Sequence, residues 1–355
     1  MDFSEAGYSV AWLQAELIRI VHQLPQSKHE KWIARSLLSL IRMVGEELET
    51  LDWKILSASL LDMERGFQVF YPYRHVRKIC IFGSARTSSG ATEYQMAADF
   101  ARHVSQRGFM VLTGAGGGIM EAGNQGAGAE CSFGLNIQLP FEQSSNQYIE
   151  GDHKLVNFKY FFTRKLFFLR ESDALAMFPG GFGTLDETFE CLTLVQTGKF
   201  GPAPLVLVDK PGGDYWYDWQ AFVEKQLLRR GLISPEDVSI YTITDSIETA
   251  WQVIAEFYRV YHSSRYVKER LIIRLKSELS PADIETLNRE FSNILVQGRI
   301  ETTKALPEEL GDETEHLPRL SLHFYQRDLG RLNQMIGMIN KMGKACSATE
   351  HPEQK

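Results

Sequence analysis

The sequence predicts an α/β fold: a doubly wound parallel sheet, preceded by a helical segment and followed by a small α+β module. Three observations predict it. From Lys78 onward short apolar runs alternate with amphipathic segments, the mark of strand–helix repeats and a parallel sheet covered on both faces. Glycine-rich turns close three of the apolar runs, at the strand ends where such sheets bind ligands. The pattern changes on both sides of this stretch, before about residue 76 and after about residue 264.

In chain order, residues 1–75 read as helical. Val10, Leu13, Leu17, Ile20 and Val21 share one face, as do Ile33, Leu37, Leu40, Ile41 and Val44, with Pro25 between the two sets. A third helix covers Trp53 to Phe67 and ends at Tyr71-Pro72. No chemistry is visible there, so packing or oligomer contact is the expected role. In residues 76–264 the strands are expected at Ile79–Phe82, Phe109–Leu112, Phe133–Ile137, Ala174–Phe178 and Leu205–Val208. Helices fill the gaps at Glu93–Gln106, Gly118–Gly128, Tyr160–Glu171, Leu185–Thr197 and Trp216–Arg230, and Ile247–Tyr261 closes the domain. Residues 265–344 read as a βαββα module. Its edge strand is Arg270–Lys276, and Ser280-Pro281-Ala282-Asp283 starts a helix with serine as cap and proline at the first position. Strands Arg299–Thr303 and Leu320–Phe324 follow, then a helix from Asp328 to Met342. Pro307–Pro318 reads as an acidic loop, and residues 345–355 as a polar, disordered tail.

Composition bounds the function. The chain has 355 residues, 44% hydrophobic and 23% charged, enough for a large core. A formal net charge of -7 argues against a general nucleic-acid or membrane binder, while leaving room for a local basic pocket. The four cysteines, Cys80, Cys131, Cys191 and Cys346, form no C-x-x-C pair, and structural disulfides are not expected. The N-terminus lacks a basic start and a long apolar stretch, and no run approaches a membrane span. A soluble, cytoplasmic protein is expected.

Pro179-Gly180-Gly181-Phe182-Gly183-Thr184-Leu185-Asp186-Glu187 carries the most chemistry. A strand runs into a tight glycine turn and then into a helix start. The glycines let backbone approach a ligand closely, and the first helical N–H groups have no partner, so the turn suits a phosphate. Glu187 lies one turn further on. A carboxylate beside bound phosphate suits a partner that becomes positive. Glu121 stands in a similar place after the turn Thr113 to Gly118, either as a favourable charge at a helix start or as an acceptor for sugar hydroxyls. Arg164 and Lys165 sit on the helix before the Pro179 strand, beside the apolar run Leu166-Phe167-Phe168-Leu169, and need anionic partners if buried.

Two nucleotide motifs fail. The first strand ends in Gly83-Ser84-Ala85-Arg86, not G-x-G-x-x-G, and the second turn has Ile119 where a third glycine belongs. No G-K-[ST] follows a glycine run. A single nucleotide or sugar phosphate fits better than a dinucleotide or a triphosphate.

Thr163-Arg164-Lys165 followed by PGGFGTLDE resembles the LOG ("Lonely guy") family, cytokinin riboside 5′-monophosphate phosphoribohydrolases long mislabelled lysine decarboxylases. The family pattern is an Arg-Lys pair and then P-G-G-x-G-T-x-x-E, with the spacing found here from Arg164 to Glu187. TGAGGGIMEAGNQGA resembles the family's T-G-G-G-x-G-I-M-E-A turn, with Ala115 in a usual glycine place and Gly117 where proline is frequent. The resemblance spans about residues 76–262. It implies a Rossmann-like fold, a homodimer or larger homo-oligomer, and no metal or redox cofactor. It also implies hydrolysis of the N-glycosidic bond of a nucleoside 5′-monophosphate to free base and ribose 5-phosphate. Catalytic roles then fall on Glu187 and Arg164. Substrate-binding roles fall on Gly180, Gly181, Gly183, Thr184, Glu121, Lys165, Ser84, Gly117 and Gly118. The rival reading is a non-catalytic carrier of a phosphorylated ligand, against which the Arg164–Glu187 pair argues. A pyridoxal-phosphate decarboxylase is rejected, because no segment recommends a cofactor lysine.

Overall fold

The computed structural model describes residues 10–23, 29–137 and 145–343. Pro25, Cys346 and the tail read as disordered lie outside the described residues. The chain forms two compact units, one up to Met63 and one from Glu64. In the first, α1 (Val10–Gln23) packs on α2 (Glu30–Val44). Helix α3 (Thr50–Phe70) starts in the first unit and ends in the second, where a single 3-10 turn, Tyr71–Tyr73, terminates it at Pro72.

The second unit holds a seven-stranded parallel sheet. Its elements run β1 (Lys78–Phe82), α4 (Thr92–Ser105), β2 (Met110–Thr113), α5 (Ile119–Cys131), β3 (Ser132–Ile137), β4 (Leu155–Phe158), α6 (Phe161–Arg170), β5 (Ala174–Met177) and α7 (Phe182–Gln196). Then come β6 (Leu205–Val208), α8 (Tyr215–Phe222) with a π-helical continuation over Val223–Leu228, β7 (Tyr241–Thr244) and α9 (Ile247–Phe257). The strand order is β4-β3-β2-β1-β5-β6-β7. The chain winds outward from β1 to β4, returns to lay β5 against the other side of β1, and winds outward again. The doubly wound sheet and its helices are the α/β, Rossmann-like architecture expected.

Side chains alternate across the sheet. Ile79 and Ile81 of β1 belong to a cluster with Ala97, Ala101 and Ile254 of the helices on one face. Phe82 points the other way and packs on Phe168 of α6, ring centroids 4.8 Å apart. Beside it Phe167 meets Phe158 at 5.5 Å and Phe70 at 6.0 Å. Each such aromatic pair adds about 0.5–1.5 kcal/mol beyond its area burial. This packing fixes α6, and with it Arg164.

Strands β4 and β7 are not foreseen from the sequence. Both are edge strands, half-buried at two of four positions, and their sequences LVNF and YTIT lack a continuous apolar run. The helix expected to reach Tyr261 stops at Phe257, and Tyr261 opens β8 (Tyr261–Val267). The expected βαββα order is therefore corrected to ββαββα: β8 is followed by β9 (Arg270–Leu275), α10 (Pro281–Phe291), β10 (Leu295–Thr303), β11 (Arg319–Phe324) and α11 (Leu329–Met342). The antiparallel order is β10-β11-β9-β8. Its core is continuous with that of the parallel sheet, one cluster running from Ile79 to Ile339. The Ser280 hydroxyl caps α10 by accepting from the Asp283 amide at 3.2 Å. The Asn340 side chain of α11 accepts from the Val260 and Tyr261 amides at 2.8 and 2.9 Å and so fixes the start of β8.

The segment read as an acidic loop turns one acid inward. Glu309 is fully buried, accepting from Arg274 at 2.7 Å and from Arg319 at 3.1 Å. Arg319, 1% exposed, also donates to the carbonyls of Thr314 at 2.8 Å and Glu315 at 3.0 Å. Breaking such a pair leaves a buried charge uncompensated and costs about 3–5 kcal/mol. Arg319→Met is expected to lose about that much stability in urea unfolding; a loss below about 1 kcal/mol contradicts the clasp.

Candidate active site

The switch point of the sheet lies between β1 and β5. The turns leaving these neighbours are tied together there: the Phe178 amide donates to the Phe82 carbonyl at 2.8 Å, and the Ser84 amide to the Pro179 carbonyl at 3.0 Å. The start of α5 closes on the same place, with the Ile119 amide donating to the Ser84 carbonyl at 3.1 Å. Gly118 permits this approach. Its φ is +63°, and a Cβ there would lie 2.2 Å from the Ser84 oxygen. Ala115, which departs from the family's turn at a usual glycine place, is buried with φ 62°, a left-handed conformation that its Cβ makes costly.

Helix α7 begins at Phe182, three residues before the Leu185 expected from its apolar pattern. The Leu185 amide donates to the Gly181 carbonyl at 3.1 Å, which leaves the amides of Phe182, Gly183 and Thr184 without an intrahelical acceptor. No side chain caps Gly181. These amides and the positive end of the helix dipole are the kind of arrangement that can hold an anion. Gly181 and Gly183 are open: a Cβ at either position would meet nothing within 4 Å. Gly180 is crowded: a Cβ would lie 2.1 Å from the Thr184 hydroxyl oxygen. Tyr215, at the start of α8, holds the turn from the far side, its hydroxyl donating to the Gly180 carbonyl at 2.7 Å. Its own amide donates to buried Asp209 at 3.0 Å.

These turns open on a cavity of about 820 Å³. Ser84, Arg164, Gly180, Gly181, Gly183, Thr184 and Glu187 line it, so most residues singled out in the sequence come together. Lys165, Glu121, Gly117 and Gly118 are not among its lining residues. Glu121 instead accepts from Gln147 Nε2 at 3.2 Å. Tyr215, Phe161, Phe182 and Met120 also line the cavity and are not foreseen. Phe182 is 94% exposed inside the glycine motif, an apolar ring left in the open. That position is the variable one in the pattern P-G-G-x-G-T-x-x-E, and an aromatic ring there was the available signal. Tyr215 follows the carboxyl end of β6, the edge where such sheets place their ligands.

The charged groups differ sharply in their surroundings. The Glu187 carboxyl is buried, and burial pushes it above the ordinary carboxylate range, against the opposing pull of Lys165. Arg164 reaches the cavity past the Phe168 ring, 5.0 Å from its centroid. Its buried Nε has no hydrogen-bond partner among the described residues, and burial lowers its affinity for the proton. A guanidinium that lines a cavity offers its charge to an anion bound there. Lys165 is satisfied: Nζ lies 2.8 Å from Asp186 and 3.3 Å from Glu187, and it also bonds Glu190.

Residues 114–254 match the family model described as "Possible lysine decarboxylase". The chain is 28% identical over 164 residues to a probable cytokinin riboside 5′-monophosphate phosphoribohydrolase of Oryza sativa subsp. japonica. It is also 28% identical over 192 residues to a second Oryza sativa subsp. japonica protein whose name gives the same probable activity. The resemblance to the LOG family is thereby shown. The matched segments cover 45% and 52% of this chain, and 63% and 86% of those relatives, so less than two thirds of the first. A molybdenum cofactor binding protein from Rippkaea orientalis aligns with 50% of this chain and 93% of its own at 18% identity and a TM-score of 0.36, too low to bear on function. The LOG-like segment contains the whole of the Pro179 turn and the helices that carry Arg164 and Glu187.

Among the described residues no helix is long and apolar enough to cross a membrane. Tyr215→Phe removes one hydrogen bond that holds the anion turn, worth about 0.5–1.5 kcal/mol. Calorimetric affinity for inorganic phosphate is expected to fall roughly 2–10-fold. Unchanged affinity contradicts the bracing role.

Proposed function

We propose that this protein hydrolyses the N-glycosidic bond of nucleoside 5′-monophosphates, AMP-like or cytokinin riboside monophosphates, to free base and ribose 5-phosphate. One observation carries the reading: an anion site of main-chain amides and a buried carboxylate, Glu187, open on the same cavity. The names of the relatives support it. We take the functional unit to be a homodimer or larger homo-oligomer, as the LOG resemblance implies.

In this reading the 5′-phosphate docks on the amides of Phe182, Gly183 and Thr184, with Arg164 supplying the second charge. The base lies against Phe161, Phe182 and Met120. Cleavage of the C1′–N bond leaves positive charge on the ribose and electrons on the base. Glu187, as the anion, stabilises that cation and takes a proton from the attacking water, whose oxygen bonds to C1′. The base leaves with a proton drawn from solvent. Arg164 holds its proton too firmly to donate it and acts on the phosphate and through its charge. Phosphate binding remote from C1′ fixes the ribose against Glu187, which turns binding energy into rate. Lysine decarboxylation, the description attached to the family model, would need a cofactor lysine, and Lys165 already shares its ammonium among three carboxylates.

Chromatography of products from a panel of nucleoside monophosphates, with AMP and an isopentenyl-adenine one included, tests the reading. Free base and ribose 5-phosphate are expected; tight binding of AMP without turnover would make the protein a carrier. Glu187→Gln is expected to lower kcat roughly 10²–10⁴-fold with AMP binding largely kept. Turnover like that of the wild type would sink the assignment. Adenosine is expected to react far more slowly than AMP, and equal rates would remove the phosphate from the account.

A further inference from the structure

Asp186, Glu187 and Glu190 project from the first three turns of α7 toward α6. One residue of α6, Lys165, meets all three. Its side chain is 17% exposed, and Nζ reaches Asp186 at 2.8 Å, Glu187 at 3.3 Å and also Glu190. Burial alone would lower its affinity for the proton, but the hydrogen bonds to Asp186 and Glu190 and the charge of Glu187 outweigh it and raise that affinity. The ammonium is therefore permanent, and it is spent on carboxylates rather than offered to the cavity. Arg164, one residue earlier, has the opposite arrangement: it lines the cavity and its Nε has no partner among the described residues.

The groups facing Glu187 are few. From α6 come Lys165 and Arg164; from α7 Glu190 and Cys191; from β1 Cys80. Burial holds both thiols protonated, so they bring no charge. Among the described residues only Lys165 bonds the Glu187 carboxylate, and the acid nearest in charge, Glu190, works against its ionisation. Without the ammonium, a carboxyl buried next to another acid would keep its proton and lose its orientation.

We propose that Lys165 is a positioning residue for the hydrolysis proposed above: clamped by Asp186 and Glu190, it keeps Glu187 ionised and aimed into the cavity, and takes no part in holding the phosphate. The claim rests on that reading for its catalytic meaning, while the state of Glu187 can be measured without substrate.

The test uses the full chain with ¹³C-labelled glutamate, the Glu187 carboxyl resonance being assigned by its loss in Glu187→Gln. In Lys165→Met the Glu187 titration midpoint is expected to move up, because a cation is lost. In Glu190→Gln it is expected to move down, because a like charge is lost. Opposite shifts from two neighbours of one carboxylate are not produced by general damage, and Lys165→Arg should restore a midpoint near that of the wild type. With AMP, Lys165→Met is expected to lower kcat at pH 7 roughly 10–100-fold and to shift the acid limb of the kcat profile to higher pH, with KM within about threefold. An unmoved Glu187 midpoint in Lys165→Met overturns the proposal. So does a raised KM with unchanged kcat and pH profile, which would return Lys165 to the phosphate. If no nucleotide is cleaved by the wild type yet the midpoints shift as stated, the hydrolase reading falls and the control of Glu187 by Lys165 stands.

Discussion

The 3.0 Å hydrogen bond from the Ser84 amide to the Pro179 carbonyl joins two turns that are 95 residues apart in the chain. It exists because the parallel sheet reverses its winding between β1 and β5, so the carboxyl ends of these strands are neighbours. On one side of that bond α5 begins, held by Ile119; on the other α7 begins, with three amides facing open space. The proposed anion site is a consequence of backbone closure, and Gly118 and Gly180 are glycines because any Cβ there would push the closure apart. Tyr215 braces the same turn from a third strand end.

Around this frame the side chains divide the labour by burial. Aromatic packing of Phe167 and Phe168 seats α6 against the sheet, which brings Arg164 to the cavity and Lys165 to the flank of α7. Two adjacent cations thereby receive different tasks. Helical geometry rotates neighbours by about 100°, and the cavity lies on one side only. The buried carboxyl of Glu187 feels the charge of both, raised by desolvation and drawn back above all by the ammonium. This balance makes its proton affinity sensitive to single neighbouring charges.

Much of this was legible in the sequence, for physical reasons. Buried central strands such as Ile79–Phe82 and Leu205–Val208 have to be apolar on both faces, so they stand out; the edge strands Leu155–Phe158 and Tyr241–Thr244 do not, and were missed. Tyr261 continued an apolar helical pattern, but Asn340, 79 residues on, captures its amide and starts a strand. The glycine turn, Glu187 and Arg164 were visible because short-range spacing defines them. Glu190 and Asp186 gained meaning only once α6 lay beside α7. Likewise Glu309 looked like one acid of a solvated loop until Arg274 and Arg319 enclosed it.

The proposed hydrolysis requires one bound molecule to touch both the amides of α7 and the carboxyl of Glu187. A crystal structure of the Glu187→Gln protein with AMP tests it directly. Phosphate oxygens are expected within hydrogen-bond distance of the amides of Phe182, Gly183 and Thr184, with C1′ turned toward the side chain at position 187. A nucleotide lodged elsewhere, or one whose ribose faces away from that side chain, would contradict it.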